Sequence, residues 1–254
     1  MLLTDACPNS IEDLRVYESS ILDVAVTEFI DLKVKLELAV GEVSEDVMDA
    51  LLDRPLEDPR GPARRLYGLS DVVVTPQLKR WHAVHTLAVV YRDAFHNQLN
   101  DRYQAKFGDY KTLEGQAREH TLRFGIGLVS QPLPKAAQPS VSFATNTVAG
   151  ATYYLQVAWV AASGAEGAPS EQTAWEAPAG SVPVVNAGSA PAGVTGFNVF
   201  IGLSAGTLAL QNPTAIPVGQ TFQLPTSGVV AGRAPTGGQA PDVFITFPRL
   251  MRRG

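Results

Sequence analysis

The spacing of apolar residues changes once along this chain, near residue 130, and one kind of element cannot satisfy both spacings. Before that point large apolar side chains recur at three- and four-residue steps, the period of a helix face. After it they alternate, as on a half-buried strand. The junction is "SQPLPKAAQPS" at 130–140, whose prolines predict a stiff, extended linker. Most of the 22 glycines and 18 prolines lie beyond it. Two units of different fold class follow: a helical bundle over 1–129 and a β-module over 141–240, with a tail over 241–254.

In the first half, Ser10 opens "SIED", a helix-capping pattern. A second helix is expected from about Asp31, with Leu32, Leu36, Ala39, Val40, Val43, Val47 and Leu51 on one face. Gly41 weakens it by roughly 1 kcal/mol and admits a break at "GEVSED". Pro55, Pro59, Gly61 and Pro62 end it. Thr75 and Pro76 form a strong helix start, N-cap followed by N1 proline. A long helix is expected over 76–107, burying Leu78, Trp81, His85, Ala88, Phe95, Leu99 and Tyr103. Gly108 and Asp109 then predict a stop and a new cap, before a helix through Leu113, Ala117, Thr121, Phe124 and Leu128. The sum is a bundle of about four helices with one dominant member.

In the second half, Tyr153, Leu155, Val157 and Trp159 point one way, and Tyr154, Gln156, Ala158 and Val160 the other. "SGAEG" reads as a hairpin-type turn. "GFNVFIG" places Phe197, Val199 and Ile201 on one side, and "QTFQLP" reads as a third strand. Turn signals about every ten residues fit a small β-sandwich. Val243, Ile245 and Phe247 alternate again before the arginines of "RLMRRG".

The net charge of −5 conceals segregation. Residues 1–58 carry 15 acidic and 4 basic side chains; residues 59–135 carry 6 and 12. Either this steers copies or partners together, or it is a solvated-face pattern without further meaning. A single cysteine, Cys7, excludes a disulfide within the chain. The first residues lack a basic n-region, and no run approaches the ~20 apolar residues of a membrane span. A soluble protein made in a cytosol is expected.

No constellation carries recognisable chemistry. His82 and His85 stand at i, i+3, but no further ligands complete a metal site, and helix packing explains them. Glu42, Glu45, Asp46 and Asp49 read as the wet side of a helix. Cys7 has no nucleophile signature and sits in a terminus expected to move. "FGIGLV" at 124–129 follows a helix, so it is no phosphate cradle. The chain is expected to be no enzyme and to need no cofactor or metal. Trp81, Tyr91, Phe95, Tyr103 and Phe107 fit core packing or a helix–helix interface.

Two stretches carry a family resemblance. "GATYYLQVAWVAASGAEGAPSE" with "TGFNVFIGLSAGTLALQNPTAIPVGQTFQLP" resembles fibronectin type III-like modules of tailed-phage structural proteins. "FIDLKVKLELAVGEV" with "LKRWHAVHTLAVVYRDAFHNQLNDRYQAKFGDYKTL" is similar to the head–tail connector, or adaptor, proteins of such phages. The resemblance implies a virion structural protein in the neck, assembled in the host cytoplasm as a ring of about twelve copies beneath the portal. Compact adaptors often lack the β-module. The implied partners are the portal protein, neighbouring copies, a tail or tail-completion protein and, in the channel, the DNA backbone; a membrane is not among them. Implied contact residues are Trp81, Arg92, Phe95 and Tyr103 of the long helix, with Arg60, Arg64 and Arg65. Val243, Ile245 and Phe247 would add a strand to a portal edge, with Arg249, Arg252 and Arg253 on acidic groups. A second reading makes the β-module a surface- or carbohydrate-binding domain, with Tyr154, Trp175 and Phe200 on one open face.

Overall fold

A computed structural model describes residues 1–52, 67–97, 101–146 and 149–247. An N-terminal α-helical region is followed by a C-terminal β-sheet region. By compactness the chain divides into two units. One holds residues 6–130 with 241–254, the other residues 1–5 with 131–240.

The helical unit holds five α-helices among the described residues: α1 (Ile11–Tyr17), α2 (Ile21–Thr27), α3 (Leu32–Leu52), α4 (Pro76–Asn97) and α5 (Gln104–Phe124). The Ser10 cap forms as expected, its hydroxyl accepting from Asp13 N while the Asp13 carboxylate accepts from Ser10 N. Asp31 opens α3 by accepting from the amides of Lys33 and Val34. Thr75 caps α4 by accepting from Leu78 N at 3.3 Å. The break that Gly41 admits does not form. Leu36, Ala39, Val43 and Val47 bury one continuous face, and that packing outweighs the glycine penalty.

The expected helix over 76–107 is instead two. α4 ends at Asn97 and α5 begins at Gln104. The two run antiparallel: Tyr91 stacks on Tyr110 at 5.3 Å and Phe95 on Phe107 at 6.3 Å. Aromatic spacing runs on through a helical hairpin, so it did not reveal the turn. Gly108 and Asp109 lie on the exposed side of α5 and interrupt nothing. Leu128 lies beyond α5, not on it. Gly125 closes the helix with φ of 106°, and a Cβ there would stand 3.0 Å from the Ile245 carbonyl oxygen. The chain then enters β1 (Ile126–Leu128), and Phe124, expected on the buried face, is exposed.

The β-unit carries β2 (Ser140–Thr145), β3 (Ala151–Ala161), β4 (Thr173–Ala177), β5 (Ser181–Asn186), β6 (Val194–Gly202), β7 (Ala209–Leu210), β8 (Ile216–Pro217) and β9 (Phe222–Gln223). One sheet has the order β2-β5-β9. The other has the order β4-β3-β6-β7, with β8 also on β6, and every pairing is antiparallel. The alternation read from the sequence is present. Tyr153, Leu155, Val157 and Trp159 of β3 and Phe197, Val199 and Ile201 of β6 share one core with Val182 and Val185 of β5. The sheets do not close into a true immunoglobulin or fibronectin III sandwich. The reverse face of β3 and β6 is covered too, by a small cluster of Ala158, Phe200 and Leu208.

The proline-rich stretch is packed rather than free. Leu133 and Ala136 are buried, Leu133 N donates to Gln239 Oε1 at 2.6 Å, and Ala136 N donates to the Ala168 carbonyl. Back in the helical unit, β10 (Val243–Ile245) pairs antiparallel with β1. Asp242 accepts from both the amide and the hydroxyl of Ser130, at 2.8 and 2.7 Å.

Candidate functional site

The end of α2 is the most unusual local structure in the helical unit. Ile21, Val24 and Ala25 face the core. Leu22, Val26 and Phe29, spaced i, i+4 and i+7, face out with 37, 77 and 97 % of their surface exposed. The helix ends in a Schellman-type turn: Ile30 N donates to the Ala25 carbonyl at 2.9 Å, and Ile30 and Ala25 join the core together. That turn needs one left-handed residue, usually glycine. Here it is Phe29, φ 54°, the one described non-glycine residue with positive φ. A bulky L-residue is held in a costly conformation, with its ring in water. Val16 on α1 and Val34 on α3 are exposed as well, at 84 and 53 %. Such a surface buries apolar area only when a partner covers it.

The candidates expected on the long helix lie elsewhere. Trp81 is buried, 1 % exposed. Tyr103 is buried, and its hydroxyl donates to Glu28 Oε1 at 3.0 Å. Phe95 is half-buried against Phe107. Arg92 is half-exposed, 3.7 Å from its neighbour Asp93. In the C-terminal segment Ile245 is buried against its own unit, Val243 is exposed, and half-buried Phe247 donates its amide to the Leu122 carbonyl. Arg60, Arg64, Arg65, Arg249, Arg252 and Arg253 lie outside the described residues, as do Leu99 and the prolines expected to end α3.

The segregated charges have a use within the unit. Lys79 pairs with Asp13 at 2.9 Å and Arg118 with Asp46 at 3.0 Å; Lys35 pairs with Asp93, and Lys106 with Glu18. Three of the four pairs set an acidic residue from 1–52 against a basic one on α4 or α5, and Lys35–Asp93 runs the other way. Glu18 illustrates the strength. Burial opposes its charge, yet Lys106, Ser20 and Tyr110 bring its pKa down to about 2.

The two histidines face different groups. His82 is fully buried: Asn9 Nδ2 donates to its Nδ1 at 2.8 Å, and its Nε2 donates to the Leu36 carbonyl at 3.2 Å. Burial, against that backbone bond, lowers its pKa to about 4, so the ring is neutral. Cys7 lies 3.8 Å from that ring and donates to the Asn9 carbonyl. Burial raises its thiol pKa, which suits packing rather than attack. Cys7 is half-buried here and not in a loose terminus. His85 lies between Glu42 Oε2 at 2.6 Å and Glu114 Oε1 at 2.9 Å. Burial opposes its charge, but the two carboxylates outweigh it and raise its pKa. Among the described residues no three His, Cys, Asp or Glu side chains are placed to hold a metal.

The β-unit offers no open aromatic face among Tyr154, Trp175 and Phe200. Phe200 is fully buried, with the Arg233 guanidinium 5.3 Å from its ring. Trp175 leans on Tyr153 at 6.4 Å, and Tyr154 packs beside Phe200. Residues 131–240 contain five charged side chains: Lys135, Glu166, Glu171, Glu176 and Arg233. Four are paired, Lys135 with Glu171 and Arg233 with Glu166. An ordinary soluble domain carries about a quarter of its residues as charges. This one presents a nearly uncharged surface.

Sequence reading missed the Phe29 ridge. Its signal was present: Leu22, Val26 and Phe29 share helical spacing, and "EFID" places phenylalanine where a helix stop favours glycine. No family model matches the chain, and no curated protein matches it.

Proposed function

We propose that this chain is a structural subunit of a tailed-phage virion, a head–tail adaptor that forms a ring below the portal and joins the head to the tail. The observation that carries the reading is the exposed ridge of Leu22, Val26 and Phe29 on a helical unit otherwise fastened by buried apolar and ionic contacts. A ridge of this kind suits a repeated side-to-side contact that closes into a ring. The nearly chargeless β-unit agrees with it, since a protein held in an assembly has less need of charge to stay dispersed. The two-sheet core of that unit supports a fibronectin III-like decoration, with departures in strand order. Contact with the portal, the tail and the DNA backbone belongs to the same proposal, as does a place in the virion neck.

Native mass spectrometry with a portal ring tests it. The wild-type chain is expected to load the ring in a fixed stoichiometry, and Val26→Asp to load it poorly while keeping its helical signal. A chain that ignores portal rings, or a Val26→Asp variant that binds them equally well, overturns the reading.

A further inference from the structure

The β-unit has one long edge with no device to protect it. In the sheet β2-β5-β9, the strand β2 pairs with β5 alone over its whole length, from Ser140↔Asn186 to Thr145↔Ser181. Which backbone groups face out follows from the ladder. Asn146 N donates to the Gly180 carbonyl at 2.7 Å, one step past the last paired residues. Antiparallel partners bond at every second residue, so Ser140, Ser142 and Ala144 bond β5, and Val141, Phe143 and Thr145 turn their N–H and C=O outward. Among the described residues no strand takes up that side. Proteins blunt such edges with lysine, proline, a bulge or short length. Strand β2 has six residues, an unbroken register and no proline, and residues 136–165 contain no charged side chain. Phe143 is 67 % exposed on it.

We propose that this edge binds the same edge of a second copy, β2 against β2 in antiparallel, joining two three-stranded sheets into one six-stranded sheet. Charge selects this occupant. The negative charge is concentrated in residues 1–58, and residues 136–165 carry none, so two copies meeting at this edge bring no like charges together. The register is fixed by the outward groups. Bonding needs Val141, Phe143 and Thr145 to meet outward residues of the copy, which a two-fold axis through Phe143 provides. Phe143 then faces Phe143 of the second copy, and Val141 faces Thr145. Each of the three pairs exchanges two backbone hydrogen bonds. This contact lies on the β-unit and does not depend on the adaptor reading, which rests on α2.

Two kinds of variant of the full chain test it. Phe143→Pro removes an outward N–H and leaves the β2–β5 ladder intact; Phe143→Lys restores a protective charge. Each is expected to keep the wild-type melting temperature and to weaken dimerisation by about tenfold or more in sedimentation equilibrium. In a Cys7→Ser background, Phe143→Cys is expected to form a disulfide-linked dimer on mild oxidation. Its Cα atoms would lie about 5.5 Å apart, within disulfide reach. Ser142→Cys, which would face Ala144, is expected to stay uncrosslinked. A wild-type chain monomeric to its solubility limit overturns the proposal. So does a dimer indifferent to Phe143→Lys and Phe143→Pro, or crosslinking at Ser142→Cys as fast as at Phe143→Cys.

Discussion

Replacing Phe29 with glycine should make this protein more stable and less able to bind its partner. The left-handed conformation costs an L-residue about 1–2 kcal/mol, and glycine adopts it freely. Against that, glycine loses about 0.5–1 kcal/mol more backbone entropy on folding than alanine does. The Phe29 ring is 97 % exposed, so removing it forfeits almost no packing within the chain. The balance is a gain of about 1 kcal/mol, or about 4 °C in melting temperature for a unit of this size. Phe29→Ala separates the two effects, because it deletes the ring but keeps the backbone strain; its stability should stay within about 0.5 kcal/mol of wild type. Urea unfolding gives both numbers. In the partner assay both variants should bind more weakly than wild type. If Phe29→Gly unfolds at lower denaturant than wild type, the Schellman-turn argument fails. If either variant binds portal rings as wild type does, the ridge is not the contact.

The histidines one turn apart on α4 should give stability a maximum near pH 6.5. His82 has its pKa lowered from 6.5 to about 4, so its contribution is complete above pH 6.5 and is lost as pH falls toward 4, a change of about 3 kcal/mol. His85 has its pKa raised, so its contribution is complete below 6.5 and is lost as pH rises through the folded value. Unfolding midpoints across that range check this, and His85→Gln should abolish the alkaline decline alone. Ile245→Ala should cost about 2–4 kcal/mol, since Ile245 is buried beside β1; thermal melts of the full chain decide it. Gly202→Ala should destabilise the β-unit, because a Cβ there would collide with the Thr207 carbonyl oxygen; tryptophan fluorescence during unfolding reports it.

Local rules carried well where one element decides its own fate. Ser10, Thr75 and Pro76 mark true helix starts, and the alternation of Tyr153 to Trp159 sorts core from cover. They failed where distant packing decides. The turn between α4 and α5 is hidden because aromatic spacing continues through it. Gly41 breaks nothing because its neighbours are buried. Phe200 looks like a surface aromatic until Leu208 and Arg233 fold over it. The candidate site was legible in spacing and illegible in conformation: Leu22, Val26 and Phe29 can be read from the chain, but the positive φ cannot.

The pairing of β1 with β10 has a consequence for how the chain can be cut and rebuilt. Leu128 pairs with Val243, Asp242 N donates to the Leu128 carbonyl, and Ser130 binds the Asp242 carboxylate. The polypeptide leaves the helical unit and re-enters it at almost one point. Fusing Ser130 directly to Pro241 would leave Val129, Ser130, Pro241 and Asp242 as a four-residue hairpin loop between the same two strands, a length that hairpins commonly use. The ladder that now closes a long detour would close a short one at lower entropic cost. Residues 131–240 are therefore an insertion between two paired strands, and the clasp that frames them lies wholly within the helical unit.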